Sequence, residues 1–343
     1  MGEFFLEYGL FLAKAITVVI TLFIILVLIA GVSRRGPGHQ GLEVEKLNDK
    51  FREAAEAVRR AVLNKAAWKK HEKADKKERK AAEKSATEAS DHRRRVFVLD
   101  FKGDIRASAV ASLREEISAI VSTATAQDEV VMCLENPGGA VHEHGLAASQ
   151  LLRIKDRGVP LTVIVDKVAA SGGYLMACIA DRIIAAPFAV IGSIGVIAQV
   201  PNFNRALESR GVDFEQVTAG KYKRTVTMFG KNTDEDRAKL KEELEEVHHL
   251  FKSLVAEQRP SLDVERVATG EHWYGSDALN LGLVDELGTS DDYLIAAADD
   301  ADVFKIAFKG KQSLQERLMS AFESSMTRAG IWFEEWQSRK MFP

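Results

Sequence analysis

The chain has 343 residues, 46% apolar and 28% charged, a globular composition that suits one α/β domain with appendages rather than a single small domain. Its net charge of −3 is unevenly spread: residues 43–95 carry 17 Lys/Arg against 11 Asp/Glu, and residues 96–343 carry 27 against 37, so a basic arm precedes an acidic body. The two cysteines, Cys133 and Cys178, exclude a disulfide framework, offer no metal spacing, and read as small buried hydrophobes in apolar runs.

The first predicted element is residues 15–32, AITVVITLFIILVLIAGV, eighteen residues without a charge. That is near the length needed to cross a bilayer, and residues 9–13 extend it beyond Lys14. A cleaved signal peptide has a shorter apolar region and a small-x-small site, which this stretch lacks, so a retained anchor is expected. Arg34 and Arg35 follow the span directly, and the positive-inside rule then puts the body in the cytoplasm.

Next comes the arm. Val44, Leu47, Phe51, Ala54, Val58 and Ala61 recur at three- and four-residue steps, a narrow helical seam. Beyond Trp68 the pattern dissolves into KKHEKADKKERKAAEK, which reads as a solvated helical stalk. Contact with anionic lipid is the alternative; no aromatic interleaving supports nucleic acid. Residues 85–91 read as a helix end and linker.

In the body, strands are expected at 96–101 (VFVLDF), 130–135 (VVMCLE), 160–166 (PLTVIVD) and 182–187 (RIIAAP), and helices at 108–125, 144–155 and 172–180. This alternation predicts an α/β fold with a largely parallel sheet. A long charged helix is expected over 233–258, opened by Thr233-x-x-Asp236. Ser313-Leu314-Gln315-Glu316 has the pattern of a capping box before an amphipathic C-terminal helix containing Leu318, Phe322, Met326, Trp332, Phe333 and Trp336.

The chemistry centres on DKVAASGGYLMA, residues 166–177. Ser171 lies between an apolar strand and a glycine-led helix. It is either an N-cap or a nucleophile on a tight turn with free backbone N–H groups for an oxyanion. There is no GxSxG elbow; the local pattern is A-S-G-G. A serine nucleophile needs a base. The histidines on offer are His142, His144, His248, His249 and His272; single histidines at helix starts read more simply as surface residues. A lysine kept neutral by desolvation is the other option, from Lys167, which reads more simply as a solvated strand end, or from Lys221 or Lys223 in TAGKYKRTVTMFG. These residues alone do not choose among them.

VDKVAASGGYLMA, followed in order by IGSIGV and GKYKR, resembles the signal peptide peptidase A family of serine–lysine membrane proteases, its SohB-type members in particular, over roughly residues 96–294. The resemblance implies Ser171 as nucleophile and Lys223 as general base. It gives Ser193 the task of orienting the lysine amine, and the Gly139 and Gly172 N–H groups that of an oxyanion hole. No metal and no cofactor are implied. Where the family often carries serine before its Pro-Gly-Gly, this chain has Asn136, which is expected to affect how the substrate strand is held rather than the chemistry.

The implied fold is a crotonase- and Clp-protease-like α/β spiral with a parallel sheet, preceded by a transmembrane helix and a charged helical arm. The chain then divides into an anchor (1–35), the arm (36–94), a serine–lysine protease domain (95–300) and a C-terminal strand with an amphipathic helix (301–343). The expected partners are a peptide substrate, the lipid bilayer and further copies of the chain, in a homo-oligomeric ring such as an octamer. Within such a ring a neighbour can supply the base. The expected function is a membrane-anchored endopeptidase cutting short apolar peptides, such as signal peptide remnants or unfolded segments. An acyl-CoA enzyme of the same fold and a catalytically silent membrane scaffold are the alternatives. Family resemblance places a single-pass protein in a bacterial inner membrane with its catalytic domain on the periplasmic side, against the flanking charges.

Overall fold

The structure is a computed structural model that describes residues 8–14, 16–18, 21, 41–89 and 93–309, with side chains omitted for 78–89. The body spans Leu42–Ala307; outside it, residues 8–14 and 16–18 are helical. Among the described residues no helix is long and apolar enough to cross a membrane. Of the apolar stretch 15–32, residues 15, 19–20 and 22–32 lie outside the described residues, as does the C-terminal helix expected after Ser313.

In chain order the elements are β1 (Gly41–Lys46), α1 (Leu47–Val62), α2 (Lys65–Ala89), β2 (Arg95–Lys102), α3 (Val110–Val121), β3 (Glu129–Glu135), α4 (Val141–Lys155), β4 (Leu161–Val165), β5 (Val168–Ala170) and α5 (Gly172–Ala177). They continue with β6 (Arg182–Ala185), β7 (Val190–Gly192), α6 (Asn204–Glu208), α7 (Asp234–Gln258), α8 (Val264–Val267), β8 (His272–Tyr274), α9 (Gly275–Asn280), β9 (Glu286–Leu287), α10 (Ser290–Asp300) and β10 (Asp302–Lys309). A seven-stranded sheet runs β1-β10-β2-β3-β4-β6-β9, parallel at every pairing from β10 to β9. A small second sheet, β5-β7-β8, has β5 parallel and β8 antiparallel to β7. This is the mixed α/β architecture with a largely parallel sheet that the strand–helix alternation predicts, and it is consistent with a Clp-protease-like fold.

A parallel sheet covered on both faces needs apolar side chains at nearly every position of its central strands. That is why β2, β3 and β4 read as continuous hydrophobic runs. Their alternate residues serve two cores. Leu99, Phe101, Met132, Leu134, Val163 and Val165 face α3, α4 and α5. Val96, Val98, Val131 and Ile164 face the other side, with Leu47, Leu294 and Val303.

The helical seam expected from Val44 begins at Leu47 instead, because Val44 lies in β1 and is exposed. Leu47 is buried and Phe51 packs beside it, but Val58 faces solvent, so only the first turns of α1 are anchored. Asn48 fastens this end: its Nδ2 donates to the carbonyls of Ala298 (3.0 Å) and Ala301 (2.9 Å), and its Oδ1 accepts from the Val303 N–H (2.8 Å). The stalk is helical as α2, which continues to Ala89 through most of the stretch read as a linker. The capping box of α7 is complete, with Thr233 Oγ1 accepting from the Asp236 N–H (3.1 Å) and Asp236 Oδ2 from the Thr233 N–H (2.8 Å).

Candidate active site

Ser171 joins β5 to α5 with φ 52° and ψ −119°. A positive φ at a residue with a Cβ is sterically costly, and such strain persists only where the surroundings impose it. Here two backbone hydrogen bonds do so: the Ser171 N–H donates to Gly192 O (2.8 Å) and Ser171 O accepts from the Leu175 N–H (2.9 Å). The hydroxyl makes no capping bond to α5, so the simple N-cap reading of this serine fails. Its side chain is half-buried at the turn.

The Pro137-Gly138-Gly139 turn lies directly against this serine. Gly138 has φ 91°, and a Cβ there would stand 2.7 Å from Ser171 Cβ and 2.9 Å from Gly172 N, so only glycine permits the approach. The Gly138 N–H is taken by Asn136 Oδ1 (2.9 Å). The N–H groups of Gly139 and Gly172 have no acceptor among the described residues. Gly172 opens α5, so its free N–H also carries the positive end of that short helix.

Ser193 follows β7 as Ser171 follows β5. The two strands pair in parallel with Ala170 opposite Gly192, which brings both serines to the same end of adjacent strands. Ser193 also has a positive φ, 52°, and its N–H donates to Glu271 O (2.6 Å). The structure thus gathers Ser171, Ser193, Gly139 and Gly172.

It does not gather Lys223 with them. Lys223 is exposed, its N–H donates to Gly220 O (3.1 Å), and among the described residues no hydrogen bond or ion pair links its amine to Ser171 or Ser193. The competing lysines are engaged elsewhere. Lys167 pairs with Glu135 (3.2 Å). Lys221 pairs with Glu235 (2.7 Å) and lies over the Tyr222 ring; the hydrogen bond to that carboxylate holds its ammonium above the usual lysine range. That bond makes Lys221 a poor proton acceptor. The segment carrying Lys223 exposes Ile197, Phe203, Val212, Phe214, Val217, Met228 and Phe229, with Phe203 stacked on Phe229 and Phe214 tilted against it.

No histidine is hydrogen-bonded to Ser171 among the described residues. His142 is exposed beside Glu143 (3.6 Å), His248 and His249 lie on α7, and His272 is an exposed residue opposite Gly192 in β8. His144 is not the surface residue its helix-start position suggests. It is fully buried, with Nδ1 3.0 Å from Ala140 O and Nε2 3.2 Å from Asn136 Oδ1. Asn136 is equally buried, so its side chain faces the interior rather than a substrate strand. Burial pushes the thiols of Cys133 and Cys178 up to about 12, which removes both as nucleophiles. Among the described residues no group of three or more acidic, histidine or cysteine side chains could hold a metal ion.

Comparison with known proteins gives the family of the chain. Residues 3–151 match Peptidase family S49 N-terminal and residues 153–304 match Peptidase family S49. The chain is 44% identical over 334 residues to "Probable protease SohB" of Haemophilus influenzae, covering 95% of each chain. It is 45% identical over 323 residues to the protein of the same description from Buchnera aphidicola subsp. Acyrthosiphon pisum, covering 94% of this chain and 95% of that one.

Proposed function

Because the chain belongs to peptidase family S49, whose SohB-type relatives support a peptidase, we propose that it is a membrane-anchored serine endopeptidase working through Ser171 and Lys223. The observation that carries this reading is Ser171 itself, held at a strained backbone angle beside two unengaged amide N–H groups. A hydroxyl that neither caps its helix nor sits in a relaxed conformation is arranged for another purpose.

The reaction follows from these parts. The uncharged Lys223 amine accepts the Ser171 Oγ proton as Oγ bonds to the scissile carbonyl carbon. The carbonyl oxygen becomes an oxyanion and takes hydrogen bonds from Gly139 N–H and Gly172 N–H. Collapse breaks the C–N bond, and the lysine passes its proton to the leaving amine. Water then attacks the acyl-serine carbonyl and gives a proton to the lysine; the C–Oγ bond breaks, the lysine returns the proton to Ser171 Oγ, and the peptide acid leaves. Ser193, at the same strand end as Ser171, orients the amine.

Among the described residues no hydrogen bond joins Lys223 to Ser171 within one chain, and Lys223 rides on a segment rich in exposed apolar side chains. Exposed apolar side chains clustered on one segment mark a surface for a partner. A neighbouring copy that buries this segment brings its own Lys223 to the Ser171 of the first chain, in a homo-oligomeric ring. The substrates are short apolar peptides such as signal peptide remnants or unfolded segments. The 15–32 stretch anchors the protein in a bacterial inner membrane, with the body on the periplasmic side. Protease accessibility in spheroplasts tests that sidedness: a body protected until lysis is cytoplasmic.

Ser171→Ala tests the chemistry. The variant is expected to fold as wild type and to lose cleavage of a fluorogenic apolar peptide. Undiminished cleavage by the purified variant would contradict the assignment.

A further inference from the structure

Asn136 and His144 are fully buried polar side chains directly beneath the proposed oxyanion hole, and the mechanism above uses neither. Buried polar groups are costly unless bonded, and these two are bonded to each other and to the turn. Asn136 Oδ1 accepts from the Gly138 N–H (2.9 Å), an Asx-type bond two residues on. Asn136 Oδ1 also faces His144 Nε2 at 3.2 Å; because it and the carbonyl beside the other ring nitrogen only accept, a neutral imidazole donates to one of the two. The other ring nitrogen lies 3.0 Å from Ala140 O, and Asn136 Nδ2 is 3.2 Å from Met176 Sδ, so the ring and the amide are both fixed.

The consequence reaches both oxyanion donors. The turn has two amide N–H groups, Gly138 and Gly139. By engaging the first, Asn136 leaves the second free. On the other side, a Cβ on Gly172 would overlap the His144 ring, so the imidazole is the floor on which the second donor rests. We infer that Asn136 and His144 are positioning residues for the oxyanion hole: the pair selects Gly139 as the turn's donor and sets the seat of Gly172.

This inference rests on the peptidase reading, so Ser171→Ala is the reference variant throughout. The probes are a fluorogenic apolar peptide and the matching peptide aldehyde, whose hemiacetal oxyanion occupies the hole. In Asn136→Ala, kcat is expected to fall about 100-fold with KM close to wild type, the loss typical of a slightly misplaced catalytic group, and the aldehyde to weaken in step. Asn136→Ser restores an acceptor two residues before Gly138 but cannot reach His144, so its kcat and aldehyde affinity should fall between those of wild type and the alanine variant. A merely structural role would lower the melting temperature and leave kcat and aldehyde affinity of the folded protein unchanged. That result, with Ser171→Ala inactive, overturns the positioning role and leaves the peptidase reading standing. If Ser171→Ala still cleaves, both fall together. If Asn136→Ala does not fold, Asn136→Ser decides: kcat and aldehyde affinity equal to wild type would overturn the inference.

Discussion

At Ser171 the strain of a positive φ, about 1–3 kcal/mol, is borne by a residue that gains no capping bond in return. The S-G-G string was visible in the sequence, but its backbone angle was not, since that angle is imposed by Gly192 on a different strand. Asn136 and His144 were harder to read. Asn two residues before glycine is a turn signal, yet nothing local says that the pair is buried or that one touches the other. Lys223 separates from Lys221 only once Glu235 is seen beside the latter. Asp128 gives a further test at this scale. It is buried, and although burial alone would raise its carboxyl, bonds from Arg95 Nη2 (2.6 Å) and the Thr125 N–H (2.8 Å) bring it down to about 2. A carboxyl lower in the folded than in the unfolded chain stabilises the fold above the unfolded value near 4, and loses that contribution as pH falls towards 2. Asp128→Asn is therefore expected to cost about 2 kcal/mol at pH 7 in chemical denaturation. The gap to wild type should close between roughly pH 4 and pH 2, and a gap constant down to pH 2 would contradict the pairing.

Among the elements, those with strong periodicity were legible: the central strands β2, β3 and β4, the helices α3 and α4, and the capped α7. The short strands β5, β7, β8 and β9 were not, because two or three residues carry no period and exist only through their partners. The start of α1 shows the same limit. Val44 continues the helical spacing, but the chain there is β1, and the residue that fixes the helix is Asn48 through carbonyls and an amide some 250 positions away. Asn48→Ala leaves those three backbone groups without their partner and is expected to destabilise the body by about 2 kcal/mol. Hydrogen exchange should report the loss first at α1, α10 and β10. An unchanged denaturation midpoint would show that α1 is not fastened through this side chain.

For the whole molecule, the sequence gives the order of strand and helix, and the sheet follows from it. What a single sequence does not contain is the surface on which the segment from Ile197 to Phe229 rests, since its exposed aromatic and aliphatic side chains find too few partners within one chain. That same segment holds Lys223, the amine assigned as base in the proposed mechanism. The proposed assembly answers both needs at once: burying the apolar segment against a neighbour delivers Lys223 to a serine that its own chain does not serve. The most direct measurement pairs two dead variants. Ser171→Ala and Lys223→Ala are each expected to cleave no fluorogenic peptide alone, and to regain a measurable fraction of wild-type turnover when co-expressed and purified as a mixed assembly, where an intact serine meets an intact lysine. A mixed assembly as inactive as either variant alone, with both chains shown to be present in it, would contradict a Ser171–Lys223 dyad formed between copies.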